Sequence, residues 1–115
     1  MTNAIAMVTT DSTDPLPLAE FWATVTGGEI VAENEGWFVV VQTPSLRLGF
    51  QRVEEVAPGK NRLHLDLAVE GDLTPELERL LAAGATLVGH RTQGDFGWVT
   101  LADPQGNEFC IAAGE

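Results

Sequence analysis

Asn61-Arg62-Leu63-His64-Leu65-Asp66-Leu67-Ala68-Val69 alternates strictly between two kinds of residue. Leu63, Leu65 and Leu67 fall on one side, and Arg62, His64 and Asp66 on the other. A period of two is the mark of a strand with one face against a core. The opposite face carries a cation, an imidazole and a carboxylate in a row, so it meets either solvent or a polar cavity.

Outward from this stretch, the same kinds of element recur. On the N-terminal side, Ile5 to Thr10 reads as a first strand. Asp14-Pro15 then starts a helix, with Asp14 as N-cap and Pro15 at the first helical position, where its missing N–H costs nothing. Leu18, Phe21, Trp22 and Val25 form its apolar stripe, which makes Trp22 a core residue, and Gly27-Gly28 ends it. Strands follow at Glu29 to Ala32, Trp37 to Gln42 and Leu46 to Val53, separated by turns at Asn34-Glu35-Gly36 and Thr43-Pro44-Ser45. Residues 54–60 are polar, contain Pro58-Gly59, and read as a linker.

After the opening stretch comes a second capped helix, with Pro75 expected at its first position and Leu77, Leu80 and Leu81 as its stripe. Gly84 ends it. Strands are expected at Thr86 to Arg91, Phe96 to Ala102 and Glu108 to Ala112, the last two joined by the Asp103-Pro104-Gln105-Gly106 turn.

Each half therefore reads strand, helix, three strands. Met7 matches His64, Gly27 matches Gly84, and Ile30-Val31 matches Leu87-Val88, all at an offset of 57. The later strands match at about 61, through Gly36-Trp37 with Gly97-Trp98 and Gly49-Phe50 with Cys110-Ile111. An internal repeat constrains the fold more than any single motif. The fold class is α+β: two tandem βαβββ modules forming a curved eight-stranded sheet around a cavity, with the helices outside. Residues 1–115 make a single domain, with module 1 at about 3–53 and module 2 at about 61–113.

Composition limits the function. The 115 residues hold 17 acids and 6 Lys or Arg, a net charge of −11, which argues against nucleic acid as a partner. Such a charge suits solubility or a cationic ligand. Cys110 is the one cysteine, so an intrachain disulfide is excluded. No run of 18 apolar residues exists, and no basic, apolar leader opens the sequence. A cytoplasmic protein without membrane association is expected.

The order of these elements resembles the vicinal oxygen chelate superfamily, also called the glyoxalase/bleomycin-resistance/dioxygenase fold. The marks are Asp14-Pro15 leading into Ala19-Glu20-Phe21-Trp22, Leu48-Gly49-Phe50-Gln51-Arg52, Lys60 to Leu67, and Leu101 to Phe109. The resemblance spans essentially the whole chain, and it implies a small glyoxalase-like protein.

It further implies a divalent metal held by one residue from the first and one from the fourth strand of each module. Those four positions are Met7, Gly49, His64 and Cys110. Only His64 is an ordinary member of the family's His, Gln and Glu set. A thioether is a poor ligand for a hard ion, and glycine has no side chain. A slip of two residues offers a fallback of His64, Gln51 and Glu108. The expectation is that no metal or other cofactor is used.

Alternation places Val99 and Leu101 toward the helix and Trp98, Thr100 and Ala102 toward the cavity. Carried across the repeat, it puts Trp37, Val39 and Val41 on the cavity side and Phe38 and Val40 in the core. The expected ligand-binding set is Trp37, Gln51, Arg62, His64, Asp66, Trp98 and Glu108. Trp37 and Trp98 have a second reading as a buried patch between two subunits, since the resemblance implies dimers and symmetric dimers are common. Cys110 reads as a small buried hydrophobe.

Three functions stay open. The first is a metal-independent small-molecule binder, a homodimer, as the resemblance to drug-binding resistance proteins implies. The second is a lyase or isomerase with His64 as general base oriented by Asp66 and Arg62 holding an anionic group. The third is an accessory module without chemistry.

Overall fold

The computed structural model describes residues 5–59 and 63–113. The chain divides into two compact units between Pro58 and Gly59. Among the described residues each unit has one α-helix and four strands.

In the first unit β1 is Val8–Ser12, α1 is Pro15–Thr26, β2 is Glu29–Ala32, β3 is Phe38–Gln42 and β4 is Arg47–Arg52. In the second, β5 is Asp66–Val69, α2 is Leu73–Ala83, β6 is Thr86–Gln93, β7 is Phe96–Ala102 and β8 is Glu108–Ala113. The sheets have equivalent orders, β1-β4-β3-β2 and β5-β8-β7-β6. In each, three strands form an antiparallel meander, and the module's first strand lies parallel to its last. The α+β class and the repeated module are thus observed, as two open four-stranded mixed sheets. This strand order explains the helix. The chain leaves β1 at one edge and must re-enter at β2 on the other, so α1 crosses the sheet and covers one face.

The sequence explains where α1 starts and how it is buried. Asp14 is the N-cap residue, Pro15 opens the first turn, and Gly27 closes the helix at φ 70°, a left-handed conformation open to glycine at little cost. Leu18, Phe21, Trp22 and Val25 are all buried, and the Phe21 and Trp22 rings meet edge to face at 5.3 Å. They pack on β3 and β4, whose Val39, Val41, Leu48 and Phe50 are buried.

The second helix begins earlier than its proline suggested. Asp72 is the N-cap and α2 starts at Leu73, so Pro75 sits third, still within the turn whose N–H groups lack intrahelical partners. Of the expected stripe only Leu80 is buried, while Leu81 is 39% exposed. Two strands are shorter than their alternation: β1 begins at Val8 and β5 at Asp66. Alternation continues beyond the residues that find a ladder partner, and pairing starts at Val8↔Leu48 and Asp66↔Cys110.

The cross-repeat face assignment for β3 is corrected by one residue. Val40 pairs with Gly49 and Thr100 pairs with Cys110, which makes Val40 the counterpart of Thr100 and Phe38 the counterpart of Trp98. The β3-to-β7 offset is therefore 60, and only β4 to β8 keeps 61. In a strand, a slip of one residue exchanges the two faces. Val39 and Val41 are fully buried on the helix side, and Phe38 shares the other face with Gly49 and Gln51. Trp37 precedes the strand, at the end of a single 3-10 turn (Asn34–Gly36), and is 53% exposed. The offset grows because the β6–β7 hairpin has the longer arms. Both modules carry an irregularity at the same place, between Ile30 and Ala32 and between Leu87 and Gly89.

Candidate functional site

The face of the second sheet away from its core lines a hollow of about 550 Å³. Its position follows from alternation. Val99, Leu101, Phe109 and Ile111 take the buried side of β7 and β8, which turns Trp98, Thr100, Glu108 and Cys110 the other way. His64 and Asp66 reach the same hollow from the start of β5.

His64 Nδ1 lies 3.1 Å from Asp66 Oδ1, with the two side chains 46% and 70% exposed. Asp66 is the register partner of Cys110, whose backbone N–H donates to Leu65 O. Thr100 is the partner of Cys110 on the other side, and its Oγ1 lies 3.5 Å from Cys110 Sγ. One donor atom each from His64, Asp66 and Cys110 fall within 4.8 Å of one another. The Phe96 and Trp98 rings form an aromatic wall, 5.7 Å apart and tilted by 30°.

Of the expected ligand-binding residues, His64, Asp66, Trp98 and Glu108 are brought together here. Gln51 and Trp37 belong to the first module. Arg62 lies outside the described residues. Cys110 lines the hollow and is only half-buried, in contrast to the buried hydrophobe expected of it. Two lining residues escaped the sequence reading, Arg91 and Phe96. Phe96 is two positions from Trp98 on the same strand and was legible by period two. Arg91 is the cross-strand partner of Trp98, a pairing hidden when β6 is ended at Arg91 and the turn is begun at Thr92.

The metal pattern implied by the resemblance can be tested on the first module. A β-carbon on Gly49 would stand 2.7 Å from Met7 Sδ, 3.0 Å from Thr9 Oγ1 and 3.1 Å from the Phe38 ring. The two positions that would carry hard donors thus hold a thioether and a bare backbone packed together. The four-residue set of Met7, Gly49, His64 and Cys110 does not fit a hard divalent ion.

A family model described as a glyoxalase-like domain matches residues 7–112. The chain belongs to this family. Its structural neighbours lie in the glyoxalase/bleomycin resistance/dioxygenase superfamily. This glyoxalase-like chain is similar to a glyoxalase/bleomycin resistance protein/dioxygenase family enzyme from Burkholderia phytofirmans, at 21% identity and TM-score 0.79, covering 94% of this chain and 96% of that one. A fosfomycin resistance protein from Listeria monocytogenes, complexed with Mn(II) and a dihydroxypropylphosphonic acid, has 15% identity and TM-score 0.81, with coverage of 100% and 93%. A bleomycin resistance determinant encoded on transposon Tn5 has 19% identity and TM-score 0.69, with coverage of 98% and 99%. These likenesses establish the fold. No curated protein matches the chain. No described helix is long and apolar enough to cross a membrane.

Proposed function

We propose that this glyoxalase-like protein binds a small planar molecule in the hollow of its second module, without the hard metal of the four-residue pattern. The observation that carries this reading is the convergence of the Phe96–Trp98 wall with His64, Asp66 and Glu108 around one space of about 550 Å³. Small-molecule sites typically combine apolar walls with a few convergent polar groups, in volumes of roughly 300–1,000 Å³. An aromatic face attracts a cation. The net charge of −11 raises the local concentration of cations. Arg91 adds a fixed positive charge to the lining, suited to an anionic substituent on the same ligand. A bleomycin resistance determinant among the structural neighbours is in keeping with sequestration as the purpose. The protein acts as a cytoplasmic homodimer in this reading.

The contact between His64 and Asp66 favours a second reading, a lyase or isomerase. With Nδ1–H donating to the carboxylate, the ring presents Nε2 as a proton acceptor.

Thermal-shift screening against planar cations and small 2-oxo acids separates the readings. A binder is stabilised by mass action, by about 2.7 kcal/mol at a hundredfold excess over Kd. Stabilisation by cations that is lost in Trp98→Ala supports the first. Turnover of an oxo acid that is lost in His64→Ala supports the second. A flat response to both classes would sink both and leave an accessory role.

A further inference from the structure

We infer that Cys110 captures small planar electrophiles covalently, α,β-unsaturated carbonyl compounds in class, with His64 as the base for its thiol and Arg91 as the seat of the carbonyl oxygen. The inference rests on the small-molecule reading of the hollow and goes beyond it, because it makes the bound molecule a reactant.

Three observations carry it. The first is a row of residues across the second sheet. Gly89 pairs with Thr100, Thr100 with Cys110, and Cys110 with Asp66, so one line crosses β6, β7, β8 and β5. Thr100, Cys110 and Asp66 all line the hollow. The second is what fills the row at Gly89. That residue offers no side chain, and the Arg91 guanidinium lies over it, with Nη1 3.1 Å, Cζ 3.4 Å and Nη2 3.7 Å from where a β-carbon would stand. Arg91 also lines the hollow, and among the described residues no carboxylate pairs with it. Gly89 and Cys110 are two strand spacings apart, roughly 10 Å. The guanidinium and the thiol therefore flank the Thr100 position, and one conjugated molecule spans them.

The third is the base. One ligand atom each from His64, Asp66 and Cys110 lie within 4.8 Å of one another, and His64 Nδ1 is 3.1 Å from Asp66 Oδ1. With Nδ1–H donating to Asp66, Nε2 is left to accept the thiol proton, and the half-exposed ring has room to close the remaining distance. A nucleophile beside a base that a third group orients is the arrangement that activates a thiol. The Phe96–Trp98 wall sets the shape of the ligand, since a flat conjugated system stacks on it.

The step balances without a further reactant. Cys110 gives its proton to His64 Nε2, and the sulfur electron pair forms a C–S bond to the β-carbon of the ligand. The π pair of the C=C bond moves onto the carbonyl oxygen as an enolate, which Arg91 holds by charge-assisted hydrogen bonds. His64 then returns the proton to the α-carbon. The product is a thioether on Cys110, and no external oxidant or reductant takes part.

The test is the rate of adduct formation at neutral pH, followed by intact-protein mass spectrometry with benzylideneacetone, methyl vinyl ketone and iodoacetamide, each normalised to N-acetylcysteine. Cys110 is the one cysteine, so peptide mapping assigns the thiol adduct. A free thiol is only a few per cent thiolate at pH 7, so the expected gain over N-acetylcysteine is about tenfold or more for both enones. His64→Ala should remove that gain with all three reagents. Arg91→Gln should slow the enones but not iodoacetamide, whose alkylation forms no enolate. Trp98→Ala should slow benzylideneacetone more than methyl vinyl ketone. Circular dichroism confirms that each variant is folded, and the exposed His64 and Arg91 tolerate substitution. Enone rates no higher than that of N-acetylcysteine, or rates retained in both folded His64→Ala and Arg91→Gln, overturn the inference. Thermal shift of Cys110→Ala, which forms no thiol adduct, keeps the two proposals apart. Stabilisation of that variant by planar compounds, with no accelerated adduct in the parent chain, overturns the covalent step alone; a flat response overturns the binding reading and the planar ligand class with it.

Discussion

The thioether of Met7 occupies the space above Gly49, 2.7 Å from where a β-carbon on that glycine would stand. Thr9 Oγ1 and the Phe38 ring close the same space at 3.0 and 3.1 Å. Met7 from just before β1, Thr9 from β1 and Phe38 from β3 thus leave no room for a side chain at this position of β4.

Gly49→Ala should therefore destabilise the protein by about 1–3 kcal/mol, the usual cost of overpacking. Met7→Ala in the same chain should recover part of that loss, because removing the nearest crowding atom makes the two effects non-additive. Chemical denaturation of the two single variants and the double variant measures the coupling; strict additivity would mean the Met7 side chain yields freely.

Trp98 and Trp37 should behave differently although they look alike in the sequence. Trp98 lines the hollow, whereas Trp37 stands before its strand and is 53% exposed. A planar ligand should quench the fluorescence of the protein, Trp98→Phe should remove most of the quenching, and Trp37→Phe should leave it. Equal effects from both would show that Trp37 contributes to the bound state.

The two helices should differ in their sensitivity to truncation. Trp22 is buried at 4% exposure, and Trp22→Ala should cost about 3–5 kcal/mol. In α2, Leu80→Ala should cost about 2–5 kcal/mol, but Leu81→Ala much less, since Leu81 is 39% exposed. Native-state hydrogen exchange should show α2 opening more readily than α1, because few buried apolar groups hold it.

Asp103 should matter more than a turn residue usually does. It is 3% exposed, and its carboxylate accepts from the backbone N–H groups of Gln105 and Asn107, both at 2.9 Å, and from Asn107 Nδ2. Hydrogen bonds to a charged acceptor contribute about 1.5–3 kcal/mol each, so Asp103→Ala should lower the melting temperature by several degrees. Asp103→Asn should recover part of this, since one oxygen can still accept.

The sequence by itself determined the elements and their repetition. Asp14-Pro15 and Gly27 bound α1, the apolar stripe of α1 names its core residues, and the 57-residue offset from Met7 to His64 gives the second module. Those features are local, since caps, turns and periodicity act within a few residues of chain. Tertiary structure alone decided which counterpart faces which way. A hairpin of different length changes the offset from 57 to 60 without leaving a mark in either strand, and a shift of one residue makes Phe38 rather than Trp37 the repeat counterpart of Trp98. Register also decided the surroundings of Cys110. As a sequence position it is one apolar residue in an apolar strand; set beside Asp66 by parallel pairing and beside Thr100 by antiparallel pairing, it lines the hollow. A strand's own residues specify that it pairs, while its neighbours and the lengths of the connections specify with what.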